Sequence, residues 1–432
     1  MDPHPDYTDP IAAFTALGLP PPDEAGCAAW RESQRTYPGE PLPFLTRNYM
    51  EDACRTLRMS PEVSDAVLAG LTDYVGHPEL SRFAWHWYSR MEWAGFGEES
   101  DGVKSRPLPH WPSPPKVGGA NGHVAAMLYV HVLLARLPAV REFHRRRGVS
   151  EVISLDTFTD LELWMRENKR LFGQWGLFRP DWNQIHFAGR LFRIGRLQFE
   201  NHAAWFPFNV YRRREPNEHG HRPVVMLADS EYSIRADGQF DSADGGATPG
   251  EFMTRFTQTA TNVSGNPVSP LGAIRRELIE LELSEWELVF KNGDPCLGIH
   301  IAASGPMEHA ACGDSVRRAV PFYRELFPDR PFKALTCGSW LLDPQLEKHL
   351  PAASNIVRFL SEFYLHPKPK ANSDQTYERV FDDPHADLAT APQKTSLQRM
   401  VVEHVKAGGR WRGGGGLILP EDVGRWGEKC YR

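Results

Sequence analysis

The six cysteines of this 432-residue chain form no C-x-x-C pair. Cys27, Cys54, Cys296, Cys312, Cys337 and Cys430 are scattered along it, so they read as reduced thiols of a cytosolic protein and not as a disulfide framework. No apolar run approaches the roughly 20 residues that cross a bilayer, and the opening "MDPHPDYTDP" is acidic and proline-rich, unlike a secretory leader. Neither charge sign dominates: 49 basic against 55 acidic residues give a formal net charge of −6. That balance excludes the electrostatic footprint of a nucleic-acid or anionic-membrane binder. No internal repeat is visible. With 41% hydrophobic and 24% charged residues, the composition is that of a soluble globular protein long enough for two or three domains.

What is present divides by period. "SPEVSDAVLAGLTDYVG" offers Ser60 as an N-cap, Pro61 at the first helical position and apolar residues at helical spacing. "NGHVAAMLYVHVLLARLPAVREFHRRRG" is apolar nearly all round, which predicts a buried helix that Pro138 kinks or divides. Residues 100–120, rich in proline, glycine and serine, read as a loop. "SLDTFTDLELWMRENKRLFG" predicts an amphipathic helix with Thr159 or Asp160 near its start. From about residue 183 short aromatic and β-branched runs with turn signals predict antiparallel strands. "SPLGAIRRELIELELSEWELVF" mixes helix and strand tendencies, "DPQLEKHLPAASNIVRFLSEFY" reads as a helix, and "TSLQRMVVEHVKAGG" as another with a glycine stop. The expectation is an α+β chain: a helical N-terminal domain over 1–184 and a mixed-sheet domain over 185–432.

The most informative stretch is "CLGIHIAASGP", 296–306. On a strand, Leu297, Ile299 and Ile301 share one face, while Cys296, Gly298 and His300 share the other. The strand opens into a small-residue loop and a helix, a layout that puts a titratable group beside backbone N–H groups able to meet a phosphate.

"EFHRRRGVSEVISLDTFTDLELWM", "AGRLFRIGRLQFE", "LGIHIAASGPM", "SWLLDPQL", "SNIVRFLSEF" and "TSLQRMVVEHVKAGGRWR" occur in order over roughly 140–415. Together they resemble bacterial acyltransferase-like proteins with an N-acyltransferase N-terminal domain and a GNAT-like C-terminal domain, distantly similar to glycopeptide aminosugar N-acyltransferases. The resemblance implies a GNAT-like fold, an acyl-CoA or acyl carrier protein as donor, and a small-molecule amine as acceptor, with no metal. One departure stands out: the usual R/Q-x-x-G-x-G/A phosphate signature is absent, and Ala302–Met307 occupies its place.

Transfer of an acyl group from a thioester to an amine needs a base for the amine, donors for the oxyanion and a cradle for phosphates. His300 is the candidate base, with a buried structural histidine as the plain alternative. Ile301, Ala302, Ser304 and Gly305 are the candidate donor-binding residues, a simple tight turn being the alternative. Cys337 and Ser339 alternate onto one strand face and are candidates for protonating the leaving thiolate. A nucleophilic Cys337 paired with His300 in ping-pong transfer or thioester hydrolysis is the sharper form, and a buried apolar thiol the bland one. Trp340 and Asp343 could shape the acceptor site, although Asp343 before Pro344 equally reads as a helix cap. Arg196, Gln198 and Glu200 alternate on a strand and could bind a polar acceptor, with Glu200 a second base. His219 and His221 lack a third zinc ligand. Trp164, Trp175 and Trp182 could wall an acyl tunnel or be ordinary core. A degenerate fold that binds a ligand without chemistry is the non-enzymatic alternative.

Overall fold

The computed structural model describes residues 6–96, 107–118, 122–218 and 220–432. His219, parts of the 100–120 loop and the Asn121 start of the long apolar helix lie outside them. Backbone packing divides the chain into two units, Met1–Ile194 with Ala302–Ser304, and Gly195–Ile301 with Gly305–Arg432.

The first unit is helical. Pro61–Ala69 has Ser60 at its N-cap position and Pro61 in its first turn, as the sequence predicts, but the Ser60 hydroxyl caps no N–H and accepts from Arg166 Nη2 at 2.6 Å. The apolar run forms two helices, Met127–Ala135 and Leu137–Arg146, which meet at Arg136. Pro138 sits in the first turn of the second, where a missing N–H breaks no helical bond. Every residue of Met127–Ala135 is buried, His131 included. The Tyr74 hydroxyl donates to His131 Nδ1 at 3.1 Å, and Nε2–H donates to the Val67 carbonyl at 2.8 Å. Burial pulls this imidazole down to about 4. Around it Trp30, Phe83, Tyr129 and Phe158 fill one continuous core.

Glu151–Phe172 begins earlier than predicted: Ser150, not Thr159 or Asp160, is the cap and accepts from the Ile153 N–H at 3.3 Å. Asp160 instead lies in the buried face and accepts from the indole N–H groups of Trp164 and Trp182. A helix Asp181–Phe187 stands where strands were expected to begin. A two-strand ladder, Lys116–Val117 with His123–Val124, also departs from an all-helical front, while the strand Leu191–Ile194 falls where strands were expected.

The second unit holds the mixed sheet. Five of its strands are β1 (Leu197–Ala203), β2 (Pro295–His300), β3 (Ala334–Ser339), β4 (Tyr364–His366) and β5 (Gly414–Ile418). Their order is β4-β5-β3-β2-β1, with β2 and β3 parallel and the other neighbours antiparallel. The β2-to-β3 crossover carries the helix His309–Leu326, since parallel neighbours need a long return. A second sheet contains Phe208–Arg213, Val224–Ala228, Pro267–Ser269 and Trp286–Phe290. The ambiguous 269–290 segment resolves to strands, including Ile279–Glu282, where Leu281 is buried between exposed Glu280 and Glu282 in a period-two pattern. The helix expected after Asp343 is interrupted at Pro351. It becomes a 3₁₀ turn, Pro344–Lys348, a short helix Asn355–Leu360 newly capped by Ser354, and then β4.

Candidate active site

The register of β2 sets the face on which each candidate points. β2 pairs with β1 as His300↔Gln198, Gly298↔Glu200 and Cys296↔His202. It pairs with β3 as Cys296↔Ala334, Leu297↔Leu335 and Gly298↔Thr336, and there the pairing ends. Both strands continue, β2 to His300 and β3 to Ser339, so beyond Gly298 they part into a wedge whose inner backbone edges are unpaired with each other. Cys337–Ser339 satisfies its other edge on β5.

One face of this wedge is polar. Glu200 and His300 approach across the strands, His300 Nε2–H donating to Glu200 Oε2 at 3.2 Å; both side chains are partly exposed. A carboxylate has no proton to give, so in the neutral ring the basic lone pair is on Nδ1. His202 lies beside them, donating Nδ1–H to the Ala203 carbonyl at 2.9 Å, with the Cys296 sulfur 3.7 Å from its ring nitrogens. The sulfur, against partial burial, raises His202 above the usual imidazole range. Both imidazoles converge over Gly298: a Cβ built there would lie 2.6 Å from His202 Nε2 and 3.3 Å from His300 Nε2. A glycine is therefore what lets two rings share this spot. Thr336 and Gly338 of β3 lie on the same face as Gly298 and His300.

The opposite face is apolar. Leu297, Ile299, Leu335 and Cys337 are 0%, 2%, 0% and 5% exposed. Cys337 therefore points away from His300, and burial pushes its thiol up to about 12. The geometry does not bring together the Cys337–His300 pair that a ping-pong mechanism requires. Ser339, on that face, accepts from the Leu341 N–H at 3.2 Å and caps a 3₁₀ turn. Asp343 is 0% exposed and accepts from the Gln345 and Arg412 N–H groups at 3.0 and 3.1 Å. It is a cap and a brace, the second of its two sequence readings; burial raises its carboxyl. Trp340 is half-buried, its N–H donating to Gln375 Oε1 at 2.8 Å.

The loop after β2 is held from below. Arg196 Nε and Nη2 donate to the Pro306 and Gly305 carbonyls, each at 2.9 Å, which makes Arg196 a support for the loop. Ser304 Oγ accepts from Arg193 Nη2 at 2.8 Å. Gly305 has φ +91°, with open space where a Cβ would stand. Ala302 is buried, Ile301 half-buried, and Gln198 is buried opposite His300. Arg425 Nη2 donates to the His221 ring, 2.9 Å from Nε2 and 3.1 Å from Nδ1, and among the described residues no group of three acidic, histidine or cysteine side chains could hold a metal. The residue that sequence reasoning passed over is His202. Its period-two spacing from Glu200 was the available signal.

A parallel strand pair that parts beyond its last rung, followed by a loop and crossover helix, is the core of a GNAT-like acyltransferase domain. The model of the GNAT-like C-terminal domain matches residues 191–418, and that of the N-acyltransferase N-terminal domain matches residues 48–189. The chain belongs to this family. No curated protein sequence matches it. Among solved structures it resembles an acyltransferase in complex with decanoyl-CoA and teicoplanin, at 24% identity and TM-score 0.61 over 95% of this chain and 99% of that one. It is similar also to an acyltransferase mutant in complex with octanoyl-CoA, at 23% identity and TM-score 0.61 over the same shares. At that identity the likeness concerns the fold. Among the described residues no helix is long and apolar enough to cross a membrane.

Proposed function

We propose that the protein transfers an acyl group from acyl-CoA to an amine of a small molecule by direct attack, with His300 as the base. The observation that carries this reading is the His300–Glu200 contact at 3.2 Å on the open face of the wedge. Neighbours in fold bind decanoyl-CoA and octanoyl-CoA, and one also binds teicoplanin. These support an acyl-CoA donor and a natural-product or aminosugar acceptor. The donor's pantetheine arm fits between the parting strands, where β2 offers an unpaired backbone edge. The segment from Gly305 to the helix at His309 then faces the phosphates. Its N–H groups and the open Gly305 supply a cradle in place of the absent signature.

The acceptor nitrogen attacks the thioester carbon, His300 Nδ1 takes its proton, and the carbon–sulfur bond breaks to release CoA thiolate. Glu200 fixes the tautomer and balances the imidazolium that forms. His202 and buried Gln198 orient the acceptor's approach. The test is steady-state transfer from decanoyl-CoA to amine acceptors. His300→Ala lowers kcat/KM by about 10²–10⁴-fold without changing the melting temperature; near-normal turnover would remove His300 from the mechanism.

A further inference from the structure

The wedge has a second wall. Gly338 of β3 stands two residues past Thr336, hence level with His300 two residues past Gly298, and on the same face. The place of its missing side chain is taken from outside the strand: a Cβ at Gly338 would lie 2.9 Å from Lys368 Nζ and 3.7 Å from its Cε. Lys368 lies two residues past β4, and β4 is held by its pairing with β5 and by the Tyr364 hydroxyl, which donates to the Val268 carbonyl at 2.6 Å. A rigid, buried strand end therefore delivers this ammonium over the glycine. Among the described residues no carboxylate pairs with it. The charged and titratable groups around it are Cys337 and His366, both buried and both neutral at pH 7: the thiol is pushed up to about 12 and the imidazole down to about 4. An uncompensated cation thus lies over Gly338, on the face of the sheet that also carries the His300–Glu200 pair.

We infer that Lys368 is a catalytic residue of the acyl transfer, its ammonium holding the negative charge that leaves on sulfur. This rests on the reading that a thioester sits in the wedge. The amine's electron pair forms the carbon–nitrogen bond as the carbon–sulfur pair departs with the thiolate. The amine proton goes to His300 on one wall, and the charge on sulfur is met by Lys368 on the other. A preorganised donor of this kind at a partly water-excluded site is worth about 10²-fold in rate. Gly338 is then glycine because any side chain would displace the ammonium.

The experiment compares two donors, decanoyl-CoA and the 4-nitrothiophenyl thioester of decanoic acid, with D-glucosamine as acceptor. Wild type, Lys368→Met, Lys368→Arg and Gly338→Ala are assayed, folding being checked by thermal melting. Lys368→Met is expected to lose about 10²-fold in kcat on decanoyl-CoA and to lose little on the aryl thioester, whose thiolate is stable without help. Lys368→Arg retains most activity, and Gly338→Ala reproduces the donor-dependent loss in milder form. His300→Ala loses activity on both donors alike. Unchanged kcat in Lys368→Met, or an equal loss on both donors, overturns the assignment. Failure of wild type to acylate glucosamine from either donor, with no decanoyl-CoA binding by calorimetry, overturns the underlying acyl-CoA reading and the Lys368 role with it.

Discussion

Replacing Gly298 by alanine adds one methyl group at the point where the two imidazoles meet. Gly298 does not occupy the left-handed region, so the backbone accepts the change without strain. The new Cβ lies 2.6 Å from His202 Nε2, 3.1 Å from His202 Cδ2 and 3.3 Å from His300 Nε2. Ordinary contact begins near 3.5 Å, so the His202 ring must retreat by about 1 Å and His300 by a few tenths. Both atoms are the far ends of side chains, and His202 is exposed, so they can yield without moving the strands. The fold is expected to keep its stability to within about 1 kcal/mol, because reduced freedom of the unfolded chain offsets the rotamer shift. Activity is not protected in the same way. His202, which orients the acceptor, is the ring displaced by about 1 Å, and a misplacement of that size beside a reacting centre costs on the order of 10²-fold, or about 2.7 kcal/mol of transition-state stabilisation. The assay is kcat/KM with decanoyl-CoA beside thermal melting of the same sample. Adding His202→Ala to Gly298→Ala removes the worst clash together with the acceptor-orienting ring, so the double variant is expected to turn over no faster than His202→Ala alone. Wild-type kcat/KM in Gly298→Ala would refute the argument that these rings act, and a melting loss as large as the activity loss would assign the glycine to the fold.

Other outcomes follow from the same geometry. Cys337→Ala keeps its acyl-transfer activity, and intact-mass measurement during turnover finds no acylated enzyme; a thioester at Cys337 would restore the ping-pong mechanism. Asp343→Ala leaves the Gln345 and Arg412 N–H groups without their buried acceptor. It lowers stability by about 2–4 kcal/mol while KM for either substrate is unchanged; a shift in acceptor KM without a melting loss would return Asp343 to the acceptor site. Burial holds His86, His131 and His366 down to about 3, 4 and 4. Their unfolded forms take up a proton near 6.5 while the folded forms do not, so their stabilising contribution is complete above that pH and is lost as pH falls toward 4. Denaturant midpoints measured from pH 7 to pH 4.5 should therefore fall, and His131→Phe should flatten that fall.

The two-part architecture and the polar face of β2 were legible because both rest on period. Alternation put Cys296, Gly298 and His300 together, and pairing with Gln198 and Glu200 followed once the strands were antiparallel neighbours. The face of Cys337 was not legible. Alternation within β3 says only that Cys337 and Ser339 agree with each other; which way they point depends on the parallel register with β2, a long-range property. The role of Asp343 needed the same kind of information, since Arg412, its second partner, lies 69 residues away. Arg196 looked like a substrate ligand because its strand spacing hid that the loop carbonyls of Gly305 and Pro306 lie within its reach. His202 offered only its period-two spacing from Glu200, and Lys368 carried no motif, its place over Gly338 coming from the fold.

A crystal structure of the protein with decanoyl-CoA and a slow or inert amine acceptor bears most directly on the central proposal. The account predicts the pantetheine arm lying between Ile299–Ile301 and Cys337–Ser339, the phosphates over Gly305 and the start of the helix at His309, and the acceptor nitrogen within hydrogen-bond reach of His300 Nδ1. A thioester seated on the Cys337 face, or an acceptor nitrogen held elsewhere than His300, would contradict it.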